Sequence, residues 1–374
     1  MLRFLTSGES HGKCLVAILE GMVSGLGFEE KIIDVVMARR QEGYGRGGRM
    51  TIEKDTAEIL SGVRFGKTIG GPIALLVPNK DFKINQLPVV KRPRPGHADL
   101  VGAMKYGTQD VRDILERASA RETAARVAVG AVCRVFLKEF GVDILSHVVS
   151  IGGVTANTQG MNFKTLKKES MGSPMHCADK AAEKKMMARV DEAKLSKDTI
   201  GGIFEVVVTG VPVGLGSFVH YDRRLTAKLC AGLMSIQAVK GVEVGMGFDV
   251  SRNLGKDVHD EIFHDKKKGF YRKSNNAGGF EGGVTNGEDL VLRAATKPYA
   301  TLMSPLQSVD ISTKQKQAAT VERSDVTAVP ACGVVGEAMV AFELAAAYLE
   351  KFGGDSLKET LRNFQGYKKQ LENF

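Results

Sequence analysis

Five short segments bring together side chains whose types and spacing can do chemistry. Gly8-Glu9-Ser10-His11-Gly12 is a small polar turn that sets an imidazole beside a hydroxyl. A histidine so placed can hand a proton to a leaving group near neutral pH, or it can hydrogen-bond within its own turn. Nucleophilic serine is less attractive, since the G-x-S-x-G elbow, with serine at its centre after a strand, is read as absent here. Gly43-Tyr44-Gly45-Arg46-Gly47-Gly48-Arg49 contains the letters G-x-G-x-x-G. A dinucleotide fingerprint follows a strand and opens a helix, whereas this segment follows a predicted helix ending in Arg39-Arg40. The better expectation is a flexible loop that presents Arg40, Arg46 and Arg49 to anionic groups. An RNA-binding segment of RGG type would be longer and repeated, with interleaved aromatics. In Arg92-Pro93-Arg94-Pro95-Gly96-His97-Ala98-Asp99 two prolines stiffen the backbone around Arg94 and His97, which suits a phosphate or an anionic ring, or simply a turn. Glu116-Arg117-Ala118-Ser119-Ala120-Arg121-Glu122-Thr123 opens a strong helix, where hydroxyls, arginines and free N–H groups make an anion site natural. Its arginines can instead pair with Glu116 and Glu122 on a solvent face. In Arg323-Ser324-Asp325 the carboxylate is either a general base or the counter-charge of Arg323.

These segments need elements to hold them. Apolar residues at helical spacing predict a helix over 124–136, stopped by Gly141, and another over 334–349, stopped by Gly353-Gly354. The alanines of the second imply close packing. Residues 15–27 and 204–216 are similar strand-like runs turned by glycine, each leading to a predicted helix, at 30–40 and 222–235. This weak echo suggests two similar halves in one architecture. Further strands are expected at 73–77, 144–151, 204–208, 242–248 and 290–294, rich in β-branched residues. Helices and strands do not alternate as a Rossmann sheet requires. Residues 251–283 are polar, basic and glycine-rich, which predicts a mobile basic lid or a disordered insertion.

Composition bounds the partners. The 374 residues carry a formal charge of +9, which favours polyanions or strongly anionic small molecules. Arginines gather in the glycine-, serine- and proline-bearing segments where bidentate guanidinium groups suit phosphate and carboxylate. Lysines gather at 266–273 and in the tail, as expected of solvated surface. No apolar run is expected to approach the roughly 20 residues that cross a bilayer, so no membrane span is expected. The first residues enter Ser7-Gly8 with no apolar stretch, which predicts a cytosolic protein. Five widely spaced cysteines without C-x-x-C predict reduced core residues, with neither disulfides nor a metal site.

Taken in order, GESHG, RPGHAD, SARET, SIQAVKGVE, KPYAT, RSD and the final helix resemble the chorismate synthase family over nearly the whole chain. The resemblance implies an α+β fold: one β-α-β sandwich domain over residues 1–374, with helices between two antiparallel sheets, assembled as a homotetramer. It also implies reduced flavin mononucleotide as cofactor and 5-enolpyruvylshikimate 3-phosphate as substrate, in an anti-1,4-elimination of phosphate without net redox change. Carried over residue by residue, the flavin positions fall on Arg117, Ala118, Ser119, Gln237, Ala238, Gly282, Lys297, Pro298, Tyr299, Ala300, Thr301 and Arg323. Catalytic roles fall to His11, His97 and Asp325. Ser10, Arg40, Arg46, Arg49, Arg94, Arg121 and Arg323 would hold the substrate. Arg40 and Arg46 occupy positions that in the family take a nicotinamide cofactor, yet they suit the substrate better. Nothing resembles an appended reductase domain, which favours an external flavin reductant. Nucleic acid is not an expected partner.

Overall fold

The computed structural model of the chain describes residues 1–48, 52–266, 269–322 and 324–374. Arg49 and Arg323, both expected at the site, lie outside the described residues. Strands β1 (Arg3–Ser7), β2 (Cys14–Glu20), β3 (Glu58–Ile59) and β4 (Ile73–Pro78) form an antiparallel sheet in the order β1-β2-β4-β3. Strands β5 (Asp143–Ile151), β6 (Val154–Thr155), β7 (Gly202–Thr209), β8 (Val239–Val244) and β9 (Leu290–Thr296) form a second, in the order β8-β9-β7-β5-β6. Every pairing in it is antiparallel.

The helices are α1 (Glu30–Gln41), α2 (Asp99–Tyr106), α3 (Arg112–Ala118), α4 (Thr123–Lys138), α5 (Phe163–Met171), α6 (Lys180–Leu195), α7 (Leu225–Met234), α8 (Val329–Phe352) and α9 (Leu357–Glu372). Helix α4 lies on β2 and β4, α8 lies on β5 and β7, and the two helices cross each other between the sheets. This is the α+β sandwich that the family resemblance implies.

Burial follows from those layers. In β2 and β4 alternate residues, Leu15, Ala17 and Leu19 with Ile73, Leu75 and Val77, point at the helices and are buried. Strand β5 is buried on both faces, because Leu145 on its outer side packs with Val207 of β7 and Leu166 of α5. One hydrophobic cluster takes residues from both sheets and from α1, α4, α7 and α8. The alanine-rich character of α8 has the expected cause: a Cβ added at Gly130 of α4 would stand 2.3 Å from the Cβ of Ala338. Only two small residues permit that crossing.

Four expectations need correcting. Helix α8, at 24 residues, is long and apolar enough to cross a membrane, so the chain does contain such a run; 83% of its most apolar stretch is buried within the fold. The strand expected at 242–248 ends at Val244, because Gly245 and Gly247 turn the chain with φ of 58° and 60°. The helix expected from 222 is a 3₁₀ turn, Tyr221–Arg223, before α7 begins at Leu225. The described residues of 251–283 are not a disordered insertion. They contain a hairpin of Ile262–Asp265 with Gly269–Arg272, whose base is tied by Asp260 accepting from the Asn276 and Ala277 N–H groups at 2.8 and 2.9 Å. All five cysteines are free; Cys133 and Cys177 are buried, while Cys14, Cys230 and Cys332 are partly so.

Candidate active site

The β1–β2 connection is turned by Gly8, whose φ of 105° and contact with the Cys14 carbonyl leave no room for a side chain. It carries Ser10 and His11 to the start of the α3–α4 segment, where Ser119 Oγ donates to Ser10 Oγ at 3.2 Å. GESHG does spell G-x-S-x-G. It is nonetheless a hairpin loop rather than a strand-to-helix elbow, and its imidazole binds Glu116 instead of Ser10. His11 Nδ1 lies 2.9 and 3.1 Å from the two Glu116 oxygens, and the His11 N–H donates to the same carboxylate at 2.7 Å. Burial alone would push the Glu116 carboxyl up, but the bonds from His11 and the charge of Arg112 hold it below the usual carboxylate range.

The proline-bearing loop is built in the same way around Asp99. Arg94 donates to it from its backbone N–H at 3.0 Å, from Nε at 2.8 Å and from a terminal nitrogen at 3.1 Å, and His97 Nδ1 approaches it at 2.5 Å. Burial opposes ionisation of Asp99, and hydrogen bonds from His97 and Arg94 overcome it, so its carboxyl lies well below the ordinary value. Arg94 reaches on to Thr301 Oγ1 at 2.7 Å.

Asp55 holds two more arginines. Arg40 donates to one oxygen at 2.7 Å and Arg121 to the other at 2.5 Å, while Arg121 Nε donates to Asn79 Oδ1 at 2.9 Å. Burial lowers the Arg40 guanidinium from its ordinary value, and the nearby charge of Arg121 adds to that. The glycine-rich loop after α1 closes against the segment before α8. The Val326 N–H donates to Gly45 O at 2.9 Å, and a Cβ at Gly47 would lie 2.9 Å from Ser324 O. The Gly47 N–H and Arg46 both donate to Asp325, at 2.6 and 2.7 Å. That packing explains the glycines without a dinucleotide.

These parts line one cavity of about 380 Å³, within the range of small-molecule sites. Among the described residues, five cations, Arg40, Arg46, Lys83, Arg94 and Arg121, line it together with two carboxylates, Glu322 and Asp325, and with His11 and His97. Leu87, Leu115, Ile236 and Val335 give it an apolar wall. The Cys332 thiol on that wall is pushed up to about 11 by burial, so it stays protonated and is no nucleophile near neutral pH.

Of the residues expected to hold a flavin, Ser119, Gln237, Tyr299, Ala300 and Thr301 line the cavity. Ala238 and Lys297 line a small annex behind Tyr299. Arg117, Ala118, Pro298 and Gly282 do not line either space. Arg117 instead clamps the β1 turn through Gly8 O and Thr6 O at 3.0 and 2.9 Å, and Gly282 sits in a hairpin turn beside Phe218. No described residue of 251–283 lines the cavity. The open alternative for the arginines of the fourth segment is also answered. Glu116 and Glu122 are buried; Glu116 pairs with His11 and Arg112, and Glu122 with Arg126, Thr6 and Gln237, rather than with Arg117 or Arg121 on a solvent face. Sequence reasoning missed Asp55, Asn79 and Lys83 and assigned no role to Asp99. Asp99 had a signal, since it stands two residues after His97 in a stiff loop.

The sequence profile of chorismate synthases matches residues 2–349. A chorismate synthase of Geobacter sulfurreducens is 54% identical over 393 aligned positions, and one of Geobacter metallireducens is 55% identical, both covering all of this chain and all of the relative. A crystal structure of chorismate synthase superimposes with a TM-score of 0.83 at 44% identity, covering 100% of this chain and 99% of that one. With the two-sheet sandwich and an arginine-lined cavity already in place, full-length matches of this strength mean that the chain belongs to the chorismate synthase family of carbon–oxygen lyases.

Proposed function

We propose that this cavity binds 5-enolpyruvylshikimate 3-phosphate beside reduced flavin mononucleotide and eliminates phosphate by an anti-1,4 route to give chorismate. The observation that carries the reading is the convergence of five cations and two carboxylate-held imidazoles on one small cavity. Arg46, Arg94 and Arg121, with Ser10 and Arg40, would hold the substrate's phosphate and carboxylates, and Arg49 and Arg323 join them in the family pattern. The C3–O bond breaks with both electrons going to phosphate, and a proton leaves C6, so atoms and charge balance without an oxidant.

The residues present fit a flavin. Gln237 Nε2 donates to Glu122 at 3.1 Å, and its buried Oε1 has no hydrogen-bond partner among the described residues, at a cavity wall that also offers Ser119 and residues 299–301. A heteroaromatic ring with N–H groups would satisfy that oxygen. When bound, reduced flavin would supply electron density transiently, with no net oxidation. His11 gives its Nε2 proton to the departing phosphate oxygen. His97, oriented by Asp99, holds a proton toward the cofactor, and Asp325, fixed by Arg46 and Gly47, assists loss of the C6 proton. Family membership further supports a cytoplasmic homotetramer that takes electrons for its flavin from an external reductant.

The test is an anaerobic assay with the substrate and chemically reduced flavin mononucleotide, following chorismate and phosphate together. Equimolar products with catalytic flavin support the elimination; no product despite bound flavin sinks it. Replacing Arg46 by alanine is expected to raise KM about 10- to 100-fold, the value of a lost charge-assisted hydrogen bond, with a smaller effect on kcat. An unchanged KM would remove Arg46 from the substrate site.

A further inference from the structure

The geometry points to Glu116 as the positioning residue that fixes the ring of His11 and decides which of its nitrogens gives up a proton. The inference rests on the proposed role of His11 as the acid that meets the departing phosphate. Three contacts converge on one carboxylate: the His11 backbone N–H at 2.7 Å and Nδ1 at 2.9 and 3.1 Å. The Ser10 N–H also donates to the Glu116 carbonyl at 3.0 Å, so both residues of the turn hang from one residue of α3. The Glu116 side chain is 1% exposed, and Arg112 at 3.4 Å, itself paired with Glu322 at 3.1 Å, is its other charged neighbour.

An ionised carboxylate only accepts hydrogen bonds, so Nδ1 must carry a hydrogen. Among the described residues Nε2 has no comparable bond, because Asp81, itself paired with Lys83 at 2.7 Å, stands 3.7 Å away, beyond hydrogen-bond range. The imidazolium therefore releases its Nε2 proton and is left in the Nδ1–H tautomer that Glu116 holds. An amide in place of the carboxylate can donate to Nδ1 and so favours the opposite tautomer, in which the neutral ring has no readily released proton. The ionised state of Glu116, held below its usual range by His11, agrees with this assignment.

Glu116→Gln, His11→Ala and the double variant make the test, with kcat, KM and flavin affinity measured on each. Glu116→Gln is expected to lower kcat about 10- to 100-fold, the range seen when a carboxylate that orients a metal-bound imidazole is lost, with KM and flavin affinity within about twofold. In the His11→Ala background the same change is expected to cost less than about threefold, because its effect runs through the ring. Glu116→Asp, which keeps the charge, should recover most of the loss; if Glu116→Gln does not fold, Glu116→Ala, which removes the carboxylate outright, takes its place in the comparison and is expected to show the same dependence on His11. An equal loss with and without His11, or a full kcat in Glu116→Gln, overturns the assignment while leaving the role of His11 standing. A wild-type rate in His11→Ala overturns that role and this inference together.

Discussion

Turnover of the His11→Ala variant is expected to fall by about 10²- to 10⁴-fold, the contribution of a positioned acid or base, while flavin still binds. The imidazole is the one group on the β1–β2 turn that can supply a proton near neutral pH, and its placement leaves little to chance: the ring is 13% exposed and tied to Glu116. Ser10 and Ser119 lie alongside, but a hydroxyl gives up its proton far less readily than an imidazolium. The loss should fall on kcat, since His11 would act on the phosphate oxygen as charge develops there, and KM should move little. Single-turnover formation of chorismate under anaerobic conditions, beside a flavin titration of the same protein, separates the two quantities. Turnover at the wild-type rate would mean that phosphate leaves without help from this residue.

The second large effect lies on stability. Glu337, in the middle of α8, is fully buried and gathers Arg39 at 2.6 and 2.7 Å, Arg134, and the N–H and hydroxyl of Ser146 at 2.5 and 2.7 Å. It thus ties α1, α4 and β5 to the central helix. Glu337→Gln keeps the shape but leaves two guanidinium groups without a counter-charge, which should cost about 3–5 kcal/mol. Urea unfolding is the measurement, with a lower midpoint expected at little changed slope. An unfolding free energy within about 1 kcal/mol of wild type would show that neither arginine depends on the carboxylate.

The pH dependence has a definite sign. Burial opposes ionisation of Glu337, but Arg39 and Arg134 more than compensate and hold its carboxyl at about 2, against 4.5 for an ordinary glutamate. Its contribution is complete above 4.5 and is lost as pH falls toward 2. Wild type should therefore lose stability across that window more steeply than Glu337→Gln, and parallel curves would contradict the assignment.

The sequence makes one layer of this molecule visible and hides the next. Ala124, Val127, Ala128, Ala131 and Val132 announce α4 because their period is helical and glycine ends it, and the same holds for α8. Helices α5, α6 and α9 escaped notice for the opposite reason. Of the sixteen residues of α6 only Ala182, Met186 and Val190 are buried, a thin stripe among lysines and glutamates. The site divides likewise. His11, His97, Arg46, Arg94 and Arg121 stand in unusual local company and could be named from it. Asp55 could not, because it meets Arg121 across 66 positions of chain, and the glutamate that meets His11 is 105 positions away. Such partners are products of the layer packing, and no local pattern encodes them. Arg117 shows the converse, a residue in a telling motif that turns out to brace a turn.

The clamp at Asp55 bears on the entropy of ligand capture. A free arginine on a surface gives up about 2 kcal/mol of rotamer freedom when it closes on a phosphate. Arg40 and Arg121 have already surrendered that freedom to Asp55, Asn79 and Thr123 during folding. An anion that reaches them meets side chains that are already still, and more of their attraction survives as affinity.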